Sequence, residues 1–180
     1  MSSTLHGVIG AAFAAAALLV NAGPGLEQST SAPAALEPRA AFEQLKALAG
    51  QWQGHVSTPD GPAATVVYEL TGNGSAVMEK LFPGTPHEML SVYFMDGKDL
   101  VLTHYCAMGN QPRMKLVKAS ANPTTLTFDF VGGTNMDAAK DTHIHSGVVR
   151  ILAPDRMEAD WAVHAQGKAS GSNKFFLGRK

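Results

Sequence analysis

The amino-acid sequence predicts an all-β protein: a closed, antiparallel, up-and-down β-barrel of about 8–10 strands, preceded by one short helix. Two observations support this fold class. After Gly50, apolar residues recur at every second position, which is the period of a strand with one buried face. Turn sequences such as PDG, GNG and DGKD interrupt the alternation at short intervals, as in a meander. Closure is favoured because a closed sheet leaves no edge strand to protect.

The amino terminus, residues 1–22, is predicted to be a secretory signal peptide. Residues 7–20 form an uninterrupted apolar run of 14 residues, which is short for a membrane span and typical of a signal sequence. The small residues that end at Ala22 predict cleavage there. The amino-terminal region lacks Lys and Arg, and a buried helix is the alternative. We therefore expect a periplasmic or secreted protein with no membrane span.

Residues 23–38 have the composition of a linker, and residues 39–180 are predicted to form the barrel domain. The chain has 180 residues, 14 of them basic and 15 acidic, which gives a net charge of -1. Such a balanced charge argues against nucleic acid and anionic membrane as partners. The single cysteine, Cys106, excludes an internal disulfide, so its thiol must be buried, bound to a ligand or reactive.

The segment RAAFEQLKALAG predicts one amphipathic helix of two to three turns. Phe42, Leu45 and Ala49 share one stripe at helical spacing. Pro38 is placed at the entry, and Gly50 where a helix C-cap belongs.

The alternating segments that follow predict ten strands. They cover residues 51–57, 64–71, 76–82, 88–95, 100–108, 113–119, 124–131, 143–152, 156–164 and 174–178. Near the carboxyl end, Trp161 falls on the inward face and His164 on the outward face. In the eighth strand Arg150 is expected outside, which places His143 and His145, on the opposite face, inside the barrel.

The sequence LAGQWQG resembles the start of lipocalins and other members of the calycin superfamily. In that family the tryptophan of the first strand packs under the barrel, so the resemblance implies a structural role for Gly50 and Trp52, with Arg179 of the last strand lying across the indole. Residues 41–180 are also similar to secreted bacterial lipocalin-like domains of unknown function. Gly50, Trp52 and Gly54 resemble the start of nitrobindin-like haem barrels, but the remainder of that motif is missing.

Several polar residues are candidates for an interior site. His104 and Cys106 share one face of the fifth strand with Leu100 and Leu102, so both are predicted to point inward. Together with His143 and His145 they offer ligands suited to zinc or copper. A metal site requires these side chains to lie across the barrel from one another at the same height. The alternative that we favour is that the histidines are hydrogen-bonded within a partly polar pocket.

Two further interpretations concern the same region. A Cys106 thiolate with His104 or His143 as base, oriented by a carboxylate such as Glu79, would suit a hydrolytic enzyme, but no motif surrounds the cysteine and no oxyanion hole is evident. The turn GNQPR offers Asn110 and Arg113 to a polar group of a ligand, or it is an ordinary turn followed by a solvated charge.

We therefore expect a barrel whose interior binds a small hydrophobic molecule. The alternatives are a barrel that binds haem, zinc or copper, a hydrolytic enzyme, and a barrel filled by its own side chains. The predicted ligand-binding residues are Tyr93, His104, Cys106, Asn110, Arg113, His143, His145 and Trp161.

Overall fold

A computed structural model describes Met1 and residues 34–180. The predicted signal peptide and most of the predicted linker therefore lie outside the described residues. The final part of that linker is attached to the barrel: Leu36 N–H donates to Ala119 O at 3.1 Å, and Ala121 N–H donates to Ala34 O at 2.8 Å. No helix of the described part is long and apolar enough to cross a membrane.

The described residues form one α-helix and ten β-strands, and the predicted fold class is confirmed. Each strand pairs antiparallel with the next, and the last pairs with the first to close the barrel. The elements are α1 (Pro38–Lys46), β1 (Gly50–Val56), β2 (Ala63–Thr71), β3 (Ala76–Leu81), β4 (Met89–Asp96), β5 (Asp99–Tyr105), β6 (Gln111–Ser120), β7 (Thr124–Thr134), β8 (His143–Ala153), β9 (Arg156–Ala165) and β10 (Lys168–Arg179).

The last strand is longer than the sequence predicted. β10 begins at Lys168 rather than at Lys174, and its first residues pair with β9 across a bulge between Ala169 and Gly171. The segment KASGSN carries no apolar alternation, so periodicity gave no sign of a strand there.

The helix packs its apolar stripe against the end of the barrel where β1 begins. Ala41, Phe42 and Leu45 of α1 are buried, and Trp52 of β1 is fully buried beside them. The Trp52 indole N–H donates to Leu48 O at 2.8 Å, which satisfies its only donor. This end of the barrel is therefore filled by side chains.

Gly50 does not occupy the helix C-cap that the sequence predicted, since α1 ends at Lys46 and Ala47 is the C-cap residue. Gly50 instead opens β1 with a φ of 132°, which residues with a Cβ rarely adopt. An added Cβ would also lie 3.0 Å from Arg179 Nη1. A glycine is needed here so that the chain can turn from the helix into the barrel beneath this arginine.

Arg179 holds the helix, the first strand and the last strand together. Its guanidinium carbon lies 4.4 Å from the centre of the Trp52 ring, the contact that the resemblance implied. Nη1 and Nη2 donate to the carbonyl oxygens of Ala49 and Ala47, each at 2.8 Å, and Nε donates to Pro154 O at 3.0 Å. The carbonyl groups at the end of a helix have no hydrogen-bond donors within the helix, and the guanidinium supplies donors to them.

Replacing Arg179 with Ala is expected to lower the free energy of unfolding by about 1.5 kcal/mol, because hydrogen bonds from the guanidinium and the stacking on Trp52 are lost. The value is modest because Arg179 is solvent-exposed. Urea denaturation of wild type and variant measures the change. Arg179→Lys is the matched control: it keeps the charge but cannot form the forked contacts, so it should fall between the two. A lysine variant as stable as wild type would contradict a role for these contacts.

Candidate functional site

The interior contains a cavity of about 440 Å³ near the end of the barrel opposite to α1. It lies among residues at the end of β1, β3 and β5 and at the start of β4 and β8. Its walls are mainly apolar and include Leu81, Phe82, Met89, Met114, Trp161 and Phe175. Small-molecule sites typically combine such a volume with apolar walls and a few polar groups.

The charge of the cavity wall is low. Among the described residues that line it, none is Lys, Arg, Asp or Glu. The ionisable side chains of the lining are histidines and Cys106: His87 is exposed at the rim, and His104 and His143 are buried. A ligand held here therefore meets no fixed cationic partner in the described wall.

His104 is the polar group that the sequence placed correctly in this cavity. Its ring is buried at 4% exposure, and Nδ1 lies 3.0 Å from Ser91 Oγ. Nε2 is buried and has no hydrogen-bond partner in the described part of the chain. Burial lowers the pKa of His104 from 6.5 to about 4, so the ring is neutral at pH 7. The lining of the cavity therefore contains two buried polar atoms without a partner in the described chain, Nε2 of this neutral imidazole and Nε1 of Trp161.

A buried carboxyl group anchors the polar side chains behind His104. Glu79 Oε1 accepts a hydrogen bond from the Tyr68 hydroxyl at 2.6 Å, and Oε2 accepts one from the Tyr93 hydroxyl at 2.8 Å. Ser91 lies directly opposite Glu79 on the neighbouring strand β4. We call Glu79, Tyr68, Tyr93, Ser91 and His104 the interior network. It connects the core to the cavity wall at Ser91 and His104.

The ionisation of the interior network reflects burial opposed by hydrogen bonding. Burial raises the pKa of Glu79, while the hydrogen bonds from Tyr68 and Tyr93 act in the opposite direction. Burial, followed by the charge of Glu79, raises the pKa of both tyrosines well above the ordinary value. Both phenols therefore keep their protons and act as donors to the carboxyl group.

Cys106 lines the cavity, but it does so from a turn and not from the predicted strand. β5 ends at Tyr105, and the Cys106 N–H donates to Asn110 O at 3.0 Å to close the turn. Met108, which the strand predicted over residues 100–108 would place on the same face as Cys106, is 64% exposed at the rim. Among the described residues, no hydrogen bond joins the Cys106 thiol to a histidine, so the nucleophile and base of the enzyme hypothesis are not in contact.

Four predicted ligand-binding residues lie outside the cavity wall: Tyr93, Asn110, Arg113 and His145. Tyr93 is fully buried, and its hydroxyl donates a hydrogen bond to Glu79. The Asn110 amide donates to Thr142 O at 2.8 Å and so ties two turns together. Arg113 forms an ion pair with Asp96 at 2.7 Å. For Asn110 and Arg113 the structure matches the ordinary turn and surface charge that the sequence offered as the alternative.

A bulge in β8 separates the two histidines that were predicted to point inward together. The pairing of β8 with β9 shifts between Ile144 and Ser146, so His145 lies in the bulge. His143 is buried and lines the cavity, whereas His145 is not among the lining residues. The His145 ring instead stacks on His164, with centroids 3.7 Å apart and planes 4° from parallel. Of these two histidines, only His143 therefore lines the cavity.

Both ring nitrogens of His143 are engaged. Nδ1 lies 2.8 Å from Asp141 O, a carbonyl that can only accept, so Nδ1 carries the proton. Nε2 lies 3.0 Å from His145 Nδ1. Burial, followed by the nearby His164 and His143, lowers the pKa of His145. This arrangement is that of satisfied histidines in a barrel wall.

The described residues contain no group of three or more His, Cys, Asp or Glu side chains that could hold a metal ion. The zinc or copper site predicted from His104, Cys106, His143 and His145 is not assembled. One nitrogen of His104 is hydrogen-bonded to Ser91, and both nitrogens of His143 are occupied within the wall. The bulge in β8 directs the ring of His145 to His164. Too few of the four predicted donors remain free to share one ion.

Sequence reasoning missed Ser91 and Tyr68, and it considered Glu79 only as a carboxylate that would orient a histidine base. A signal was present for Glu79, because Val77, Glu79 and Leu81 alternate along β3 and two of the three are apolar. A charged residue on an otherwise apolar face indicates a buried polar contact. The partners could not be named, since Tyr68 and Ser91 oppose Glu79 only through the register of β2 and β4.

The sequence matches no protein-family model, and it matches none of the curated proteins with which it was compared.

Proposed function

We propose that this protein is an exported, lipocalin-like barrel that binds a small, largely apolar molecule in its cavity. The observation that carries the proposal is a 440 Å³ apolar cavity whose lining residues include two buried polar atoms, His104 Nε2 and Trp161 Nε1, that lack a partner among the described residues. A buried polar atom without a partner is costly, and a ligand atom that completes its hydrogen bond would recover that cost.

The architecture supports the likeness to calycins. The short helix, the buried Trp52 and the arginine of the last strand stacked upon it are together in the structure. The described barrel has ten strands, whereas lipocalin barrels have about eight. We therefore propose a relationship at the level of the calycin-like barrel, not at that of a particular lipocalin group.

Haem is the alternative occupant, because His104 Nε2 is a buried imidazole nitrogen that lines the cavity and could serve as an axial ligand. The remainder of the wall gives this alternative less support. No described lining residue is Lys or Arg, so none can pair with the carboxylates of haem. A Soret band in the purified protein would favour haem over the apolar-ligand proposal.

Substitution of Val163 by Phe tests the cavity as the binding site. Val163 lines the cavity, so the larger ring is expected to fill part of it and to weaken binding of N-phenylnaphthylamine, a fluorescent apolar probe, by about tenfold. The matched control is Ala162→Phe on the opposite face of β9, where Ala162 pairs with Ser146 and Ser172. Fluorescence titration should give a wild-type affinity for this control.

Two outcomes of the Val163 experiment would contradict the proposal. One is an absence of probe binding by the wild-type protein, which would favour a barrel that functions without an interior ligand. The other is equal binding by Val163→Phe and wild type, which would place the probe elsewhere. Thermal unfolding of both variants shows whether each retains the fold.

A further inference from the structure

We infer that the bound molecule is uncharged and carries an oxygen atom that accepts a hydrogen bond from the indole N–H of Trp161. This inference rests on the proposed binding function and specifies the chemical class of the ligand. It follows from the chemistry of the two buried polar atoms of the cavity lining that have no partner among the described residues, Trp161 Nε1 and His104 Nε2.

The indole nitrogen of Trp161 has a fixed polarity, because an indole N–H can only donate a hydrogen bond. The Nε2 atom of His104 differs, since a neutral imidazole nitrogen donates or accepts according to the tautomer of the ring. The contact of His104 Nδ1 with the Ser91 hydroxyl is compatible with both tautomers, because a hydroxyl can donate and accept. A ligand atom that satisfies Trp161 must therefore be an acceptor, whereas His104 sets no such requirement.

The strands beside Trp161 leave its nitrogen without a partner. Trp161 pairs with Gly147 of β8 and with Asn173 of β10. A Cβ added at Gly147 would collide with Cε3 and Cζ3 of the indole, so this edge of the ring lies over the glycine. Nε1 belongs to the other long edge of the ring and is turned away from β8. Asn173 lines the cavity but forms no hydrogen bond with Nε1 in the described chain, so a molecule held in the cavity is the available partner.

Trp52 shows the usual arrangement of a buried indole in the same barrel. Its N–H donates to Leu48 O at 2.8 Å, as is typical of buried tryptophans. The chain has two tryptophans, so Trp161 is the one whose donor is uncommitted among the described residues. Trp161 is only 6% exposed, and a buried donor without a partner is costly. An acceptor atom of a ligand would recover that cost.

The charges around the cavity favour an uncharged acceptor over a carboxylate. No described lining residue is Lys or Arg. Burial lowers the pKa of His104 from 6.5 to about 4, so its ring supplies no positive charge at neutral pH. Both nitrogens of His143 are engaged in the wall, and His87 is exposed at the rim. A carboxylate that lost its hydration here could gain a hydrogen bond from Trp161 but no opposite charge, which is unfavourable.

Competition against bound N-phenylnaphthylamine tests the inference with three molecules of similar shape: acetophenone, α-methylstyrene and benzoate. In α-methylstyrene a methylene group replaces the carbonyl oxygen of acetophenone, and in benzoate a carboxylate replaces the acetyl group. Trp161→Phe removes the N–H donor and keeps an aromatic ring. The substitution should weaken binding of acetophenone about fivefold and that of α-methylstyrene less than about twofold, since one neutral hydrogen bond corresponds to roughly the larger factor. At about pH 8, benzoate should bind the wild-type protein at least about tenfold more weakly than acetophenone.

Three outcomes of this competition would overturn the inference. Equal weakening of the ketone and the alkene by Trp161→Phe would show that the loss reflects packing alone. Benzoate binding as tightly as acetophenone would show that the site accepts an anion. Failure of acetophenone to displace the probe would show that the cavity does not hold a neutral acceptor of this kind. Thermal unfolding of Trp161→Phe shows whether the variant retains the fold.

An NMR measurement on the wild-type protein tests the same contact without a variant. Acetophenone should move the indole N–H proton signal of Trp161 downfield of its position with α-methylstyrene. Both ligands have a similar aromatic ring, and only the ketone can accept a hydrogen bond from an N–H group. The signal of Trp52 is the internal control, because its N–H is bound to Leu48 O. The same position of the Trp161 signal with both ligands would overturn the inference even if the variant failed to fold.

Failure of the inference is distinguishable from failure of the proposed function. If N-phenylnaphthylamine does not bind the wild-type protein, the binding function is wrong. If the probe binds and both competitors displace it, but Trp161→Phe affects the ketone no more than the alkene, the cavity binds ligands and the role of the Trp161 N–H is wrong.

Discussion

Replacement of Glu79 by Leu is expected to lower the free energy of unfolding by about 3 kcal/mol. The carboxyl group accepts hydrogen bonds from the buried hydroxyls of Tyr68 and Tyr93, and leucine accepts none. Tyr68 and Tyr93 are almost fully buried, so water cannot replace the lost acceptor. Each unsatisfied buried hydroxyl costs about 1–3 kcal/mol, and relief from burying the carboxyl group offsets part of the total.

Matched variants distinguish the effect of the lost hydrogen bonds from the effect of changing the side-chain shape at position 79. The triple variant Glu79→Leu, Tyr68→Phe, Tyr93→Phe removes donors and acceptor together and should recover most of the lost stability. Glu79→Gln keeps one acceptor oxygen and should be affected less than Glu79→Leu. Urea denaturation measures all four proteins. A leucine variant as stable as wild type, or a triple variant no more stable than the single one, would contradict the network.

The fold was predictable because its main signal is local. Alternation of apolar and polar residues reports which face of a strand is buried, and it identified all ten strands of the described barrel. The motif around Trp52 predicted that this residue packs at the end of the barrel, and the predicted contact of Arg179 with its ring is present. Only the start of β10 lacked this signal. Its residues are held by main-chain pairing with β9, and because their side chains are exposed, they show no apolar alternation.

The site was less predictable because it depends on departures from regular alternation. A period of two assumes that a strand continues, but Cys106 leaves β5 for a turn, and a bulge at His145 turns that ring to His164. A single extra residue in a strand exchanges its two faces, and the sequence carries no strong mark of it. His104 and Trp161 were placed correctly because the alternation is regular up to those positions.

Acidification from pH 6.5 to about pH 4 is expected to destabilise the protein through His104. Burial lowers the pKa of His104 from 6.5 to about 4 in the folded state. In this range the unfolded chain binds a proton that the folded chain does not, so the free energy of unfolding falls as the pH falls. The stability that His104 contributes is complete above pH 6.5 and is lost towards pH 4, and the difference corresponds to about 3 kcal/mol.

His104→Gln isolates this effect, since glutamine does not titrate. Glu79 must be considered as well, because its raised pKa makes it act in the opposite direction: its folded form holds a proton more tightly, so its contribution falls as the pH rises. Glu79 is present in both proteins, and the difference in stability between wild type and His104→Gln therefore reports His104.

Between pH 6.5 and about pH 4, the free energy of unfolding of wild type should fall by about 3 kcal/mol relative to that of His104→Gln. Urea denaturation at several pH values measures this change. A difference that does not vary with pH would show that His104 titrates normally and is open to water. It would then lack the buried, neutral character on which its role as a hydrogen-bonding partner for a ligand depends. Direct NMR titration of the ring gives the same answer independently, because a ring that stays neutral below pH 6.5 keeps its resonance position there.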